Sequence, residues 1–178
     1  MRTTPMMRPL FLALVATLLP GIASADDCPA DKVLPGAAET SLAGIDLHRD
    51  TMPVVRERFG KPSKAKWVLD EGSSWAKYKW VHGETAVAVS GAKDDIHIIQ
   101  ISGPDPEGVS GTGKGLTLGD PLARVEALYG TTYVDGRIHA PEIGEKMRTY
   151  CFADRTELSV GFDDSDRVTA IRLTEPGD

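Results

Sequence analysis

The second half of this chain repeats the first, and that constrains its fold more than any single motif does. Gly44-Ile45-Asp46-Leu47, then Asp50 to Phe59 and Gly60, reappears as Gly115-Leu116-Thr117-Leu118, then Asp120 to Tyr129 and Gly130. Seventy-two residues after Tyr78-Lys79-Trp80 comes Tyr150-Cys151-Phe152. The same step carries Ile96-His97-Ile98-Ile99-Gln100-Ile101 onto Val168-Thr169-Ala170-Ile171-Arg172-Leu173. Similarity at a fixed step means that one supersecondary unit is used twice. The pattern places repeat one at 42–102 and repeat two at 115–178. Between them lies a connection over 103–114, rich in Gly and Pro and expected to be flexible.

Each repeat is predicted to open with a short helix. In the second, Asp120 is placed to cap the first-turn amides and Pro121 suits the first helical position, where its missing N–H costs nothing. Leu122, Val125 and Tyr129 then make one apolar stripe, and Gly130 ends the helix. Asp50, Met52, Val55, Phe59 and Gly60 copy this in repeat one, with Pro62 reinforcing the stop. Helices of about two and a half turns do not stand alone in water, so each must pack on a surface. Strands expected at 65–69, 75–81, 84–90 and 95–102, and again at 131–134, 146–153, 156–162 and 167–174, supply it. Their tight turns, His82-Gly83 and Asp163-Asp164-Ser165-Asp166 among them, imply sequential antiparallel hairpins. The fold class is therefore α+β: two tandem repeats, each a short helical segment on a four-stranded antiparallel meander.

The N-terminus reads as an address label over residues 1–25. Arg2 and Arg8 precede an apolar run from Leu10 to Leu19, and Ala23-Ser24-Ala25 offers a cleavage site for a secretory signal peptide. The run is about ten residues, short of the roughly 20 needed to span a bilayer. The expected mature chain starts near Asp26 in the periplasm or outside the cell, with no membrane insertion, and opens with a lead-in over 26–41. It carries 18 Lys and Arg, the chain's 20 less Arg2 and Arg8, against 26 Asp and Glu, for a net charge of −8. That balance excludes nucleic acid as a partner, because phosphate backbones reward clustered cations. The two cysteines, Cys28 and Cys151, are expected to pair in an oxidising compartment. Such a bridge closes a long loop, worth about 4–5 kcal/mol by chain entropy.

Motifs for chemistry are sparse. Gly108 to Lys114 matches the first seven positions of a phosphate-binding loop, but Gly115 stands where Ser or Thr must hold magnesium. The aspartates at 163–166 lack the spacing of a calcium loop. His48, His82, His97 and His139 show no metal-ligand spacing. No nucleophile elbow or Cys–His signature is present. The expectation is a protein that is not an enzyme and takes no cofactor or metal. The aromatics say more, because Trp67, Trp75 and Trp80 all fall in repeat one. Along one strand Ala76, Tyr78 and Trp80 share a face, while Trp75, Lys77 and Lys79 share the other. Exposed aromatic residues dominate binding hot spots. Trp75, Lys77, Tyr78, Lys79 and Trp80 are thus the candidate binding residues.

The head of each repeat, Leu47-x-x-Asp50 with Val55, Phe59 and Gly60 and its counterpart Leu118 to Gly130, followed twice by a strand meander, resembles the β-lactamase inhibitor proteins. That resemblance implies two stacked helix-plus-strand repeats whose sheets grip a partner protein. The single repeat also resembles the small lipoproteins of the outer-membrane barrel-assembly machinery, where a segment like Phe162 to Val168 forms a hairpin. The inhibitors carry a disulfide within each repeat, whereas here one cysteine lies in repeat two and one outside both. None of their target-gripping residues matches a position here, and the chain lacks a lipid-anchor cysteine. The reading that follows is an exported, inhibitor-like module that binds an envelope or extracellular protein. Its alternatives are an envelope-assembly factor, and a small-ligand binder or enzyme using a groove between repeats with His97 or His139.

Overall fold

The structure, a computed structural model, describes residues 28–70, 73–92, 94–104, 109–135, 143 and 146–175. The signal segment and His139 lie outside the described residues. After a single 3-10 turn (Ala30–Lys32) come β1 (Val33–Leu34), β2 (Ser41–Leu42) and β3 (Ile45–Asp46). Then follow α1 (Met52–Phe59), β4 (Lys64–Asp70), β5 (Ser73–His82), β6 (Thr85–Ala92) and β7 (Ile98–Ser102). The second half gives α2 (Leu122–Tyr129), β8 (Val134–Asp135), β9 (Lys146–Phe152), β10 (Glu157–Phe162) and β11 (Val168–Thr174). The chain is thus α+β, with two α-helices on one large mixed sheet among the described residues.

Strand order in that sheet is β1, β9, β10, β11, β7, β6, β5, β4, with β8 also on β9. The halves meet where β11 runs antiparallel to β7, Gln100 facing Arg172. They are joined by backbone bonds along one strand pair. Apolar residues then line up across the strands. Tyr150, Leu158, Leu173, Ile99, Val89 and Tyr78 are successive cross-strand neighbours, and all are buried. Phe59 of α1 packs on Trp80 at 5.5 Å between ring centroids, and Tyr129 of α2 on Tyr150 at 5.4 Å. The helices therefore cover the same face of the sheet and close one continuous core.

Helix ends follow the expected stops. Gly60 and Gly130 take φ of 73° and 83°, a region that favours glycine. An aromatic head group then satisfies each terminal carbonyl: Trp80 Nε1 donates to Gly60 O at 3.0 Å, and Tyr150 Oη to Gly130 O at 3.4 Å. The helix starts differ from expectation. Thr51 and Pro121 occupy the capping positions without a side-chain bond. Asp120 accepts instead from Thr117 N at 2.8 Å, and Asp50 from Asp46 N at 3.0 Å. The turn before each helix has its own unpaired amide, and the carboxylate folds back to that one.

Three further expectations are corrected. The strand expected at 131–134 shortens to Val134–Asp135. The far side of β9 is shared instead with the lead-in strand β1, which pairs in parallel at Cys151 and Phe152 and makes the sheet mixed. Residues 95–97 are not strand, because the Asp95 carbonyl crosses so near Gly91 that a Cβ there would lie 1.8 Å away. The connection over 103–114 is not a loose tether where described, at 103–104 and 109–114. Thr112 is buried, forms a bridge with Leu42, and its Oγ1 accepts from Leu116 N at 3.1 Å.

Candidate functional site

The sheet face away from the helices is open over β4 and β5. Antiparallel register sets Lys64 opposite Lys79 and Lys66 opposite Lys77, so four ammonium groups share one face as two cross-strand pairs. Like charges directly opposite one another destabilise a strand pair. The chain accepts this in spite of a net charge of −6. Further along β5 on the same face, the half-buried Trp75 lies 5.1 Å from the His97 ring. His97 Nδ1 is buried with no hydrogen-bond partner.

Sequence parity separates the five candidates correctly into two faces, and burial then divides them. Lys77 is exposed, and Trp75 and Lys79 are half-buried on the open face. Tyr78 and Trp80 are 6% and 2% exposed and belong to the core. Those two therefore leave the candidate surface and serve as its support. An aromatic not among the candidates takes their place: Trp67 is 63% exposed. It stands edge-on to Tyr78 at 6.4 Å, and the Arg56 guanidinium lies 5.4 Å from the same Tyr78 ring. Trp67 pairs with Ala76 and so lies on the helix side, but at the last strand, beyond what α1 covers. Its place at the sheet's end, not its type, is what the sequence pattern could not reveal.

A second cluster is structural in character. Glu39, from the lead-in, is 3% exposed. Its Oε1 accepts from Gly113 N at 2.9 Å, and its Oε2 from Lys114 N at 3.1 Å and Tyr129 Oη at 2.9 Å. Tyr129 Oη also meets Thr112 Oγ1 at 2.8 Å. The end of the phosphate-loop look-alike is thus a cradle of amide donors, filled by the chain's own carboxylate. Burial first, and then the neighbouring Glu39, hold the Tyr129 hydroxyl well above the ordinary phenol range. Burial also raises Tyr150, against the opposing bond from Arg148. For Asp46 burial acts upward, but bonds from Arg49 and the His48 amide outweigh it and leave the carboxyl below its usual range.

Cys28 and Cys151 are joined, with Cα atoms 6.1 Å apart, as expected from the sequence. Glu157 lies 3.2 Å from Cys28 Sγ. These three form the one group of His, Cys, Asp or Glu side chains among the described residues close enough to share an ion. As a disulfide, however, the sulfurs offer no thiolate. His48 stands on the surface 3.8 Å from Glu175, and His82 is exposed near Phe59. No two described histidines come together as ligands in a shared group. No helix among the described residues is long and apolar enough to cross a membrane.

Fold and site together define a disulfide-linked α+β protein with a helix-covered sheet and an open, basic, aromatic end. No family model matches the sequence, and no curated protein matches it as a relative. Among solved structures, a cysteine-rich secretory protein from Staphylococcus aureus is similar at a TM-score of 0.51 and 16% identity. The match covers 76% of this chain and 47% of that one, so this chain spans about half the length of the Staphylococcus protein. This likeness shows a shared fold alone. A proposed β-lactamase inhibitor protein from Streptococcus mutans aligns over 71% of this chain and 83% of its own. With a TM-score of 0.33 and 12% identity, that alignment adds no weight.

Proposed function

We propose that this protein is an exported binding module that grips another protein through the open sheet face of β4 and β5, in the manner of an inhibitor and not of an enzyme. The observation that carries the reading is the pair of opposed lysines, Lys64 with Lys79 and Lys66 with Lys77, on the face that also carries Trp75. Lysines clustered on one face of an acidic chain make a local basic patch, which suits contact with an oppositely charged partner surface. Trp75 on its His97 support adds an aromatic anchor of the kind that dominates interfaces.

The two halves are read as copies of one unit, repeat one at 42–102 and repeat two at 115–178. Several features support this. Each half runs helix and then four strands. Gln100 faces Arg172, its counterpart at the repeat step, so the join between halves is a local two-fold. The helix stops and their aromatic caps recur as well.

Capture from an envelope extract by the immobilised mature protein, compared with Trp75→Ala and with Lys77→Glu/Lys79→Glu, tests the function. A partner held by the wild type, lost by both variants, and rebinding when purified supports it. Equal capture by all three refutes the face. Export has a separate check: the periplasmic protein should begin near Asp26 by N-terminal sequencing.

A further inference from the structure

We infer that β4 is a docking edge, and that its occupant is an extended acidic segment of the partner protein, added to the sheet as one more strand. This rests on the protein-binding reading above and deepens it by naming the partner's chemistry and its mode of attachment.

Among the described strands β4 pairs with β5 alone and ends the strand order. One row of its backbone N–H and C=O groups therefore points outward, a template for a further strand. Chemistry differs on the two sides of that edge. One side carries Lys64 and Lys66 with Lys79 and Lys77 directly behind them. The other carries the exposed Trp67 and, toward α1, an open groove of about 520 Å³ lined by Pro53, Arg56, Glu57, Gly60, Lys61 and Pro62. An added strand alternates its side chains between these sides. Positions i and i+2 would meet the lysines, and i+1 would meet Trp67. The matching segment has acidic residues at alternate positions and apolar residues between them.

Lysines on edge strands also serve to prevent strands from pairing with each other. That role calls for charge on the edge strand itself, whereas Lys77 and Lys79 stand one strand further in. It also gains nothing from a tryptophan left 63% exposed on the same strand. A second copy of this chain is disfavoured as occupant, because β4 against β4 would set lysine against lysine. Charge complementarity therefore selects an acidic partner.

The test uses the mature full-length protein and a capped seven-residue peptide of alternating Glu and Val, matching the seven residues of β4. Three results are expected. Binding is saturable, shifts tryptophan emission, and slows hydrogen exchange of β4 amides. Lys64→Glu/Lys66→Glu weakens it about tenfold or more, since several exposed ion pairs are reversed at once. A peptide N-methylated at alternate residues, with the same charge but fewer backbone donors, loses binding. Trp67→Ala serves as a second variant, and circular dichroism confirms that both variants keep the fold. Equal binding of the methylated peptide, or unchanged β4 exchange on saturation, overturns strand addition. If the emission shift vanishes in Trp75→Phe while β4 exchange stays fast, the open face binds and the edge does not. No saturable binding at all overturns the edge and leaves the sheet face to its own test.

Discussion

Replacing Glu39 with alanine should cost this protein a large share of its stability, although Glu39 lies far from the candidate surface. Its carboxyl group accepts three bonds at 3.1 Å or less, from Gly113 N, Lys114 N and Tyr129 Oη. A net bond contributes about 1 kcal/mol, more where an acceptor is charged, and an orphaned buried partner adds to the loss. Not every partner is orphaned, however. Gly113 N also reaches Ser41 O at 3.2 Å, and Tyr129 Oη keeps Thr112. The exposed Lys114 can turn its amide to water. Three bonds lost with partial recovery gives about 3 kcal/mol, against about 5–15 kcal/mol for a whole domain. With a urea slope of about 2 kcal/mol per molar, the midpoint should fall by about 1.5 M. Urea melts followed by both circular dichroism and tryptophan emission measure it. Tyr129→Phe alone should cost about 1 kcal/mol, and the pair should couple by a similar amount. A loss below about 1 kcal/mol for Glu39→Ala, or strict additivity with Tyr129→Phe, would show that the knot is not what ties the lead-in to α2.

Three other outcomes are expected. Gly161→Ala should destabilise by about 2–3 kcal/mol in the same melts, because the new methyl would meet the Ile143 carbonyl at 2.1 Å and force backbone apart. Tyr129, with a folded pKa raised above its unfolded value near 10, stabilises the fold below that pH and loses this contribution as pH rises past it. Absorbance at the tyrosinate band should therefore rise for Tyr129 only together with alkaline unfolding; early titration of every tyrosine refutes its burial. Denatured, unreduced protein should show no free thiol, and Cys28→Ser/Cys151→Ser should cost about 2–4 kcal/mol without changing the circular dichroism spectrum.

Local signals in the sequence carried much of the fold. Glycine stops at 60 and 130, alternation along β10 and the hairpin at Asp163 to Asp166 each depend on residues within a few positions of one another. The junction of β7 with β11 does not, because nothing in Ile99 or Ile171 alone says which strand it will face. Glu39 was illegible for the same reason. It sits 74 residues from Gly113, its amide partner, and the glycine-rich loop looked like a site for something foreign. On β5 the alternating pattern sorted the faces, but sorting cannot say how far a helix reaches. Tyr78 and Trp80 therefore became core, and Trp67, one strand further out, stayed bare. Gly91 and Gly161 carried a usable cue, since glycine inside a strand marks a place where another backbone comes close.

The sheet is finished differently at its two ends, and this sets a stoichiometry. At one end the chain's own lead-in supplies β1, beside a disulfide bonding Cys28 to Cys151 of the neighbouring β9, and the outermost strands there, β1 and β8, are two residues each. At the other end stands the seven-residue β4. A sheet with two long free ends could pass strands from molecule to molecule without limit. Among the described residues this one has one long free edge and a short, pinned terminus, so strand addition at β4 would stop at one strand per molecule.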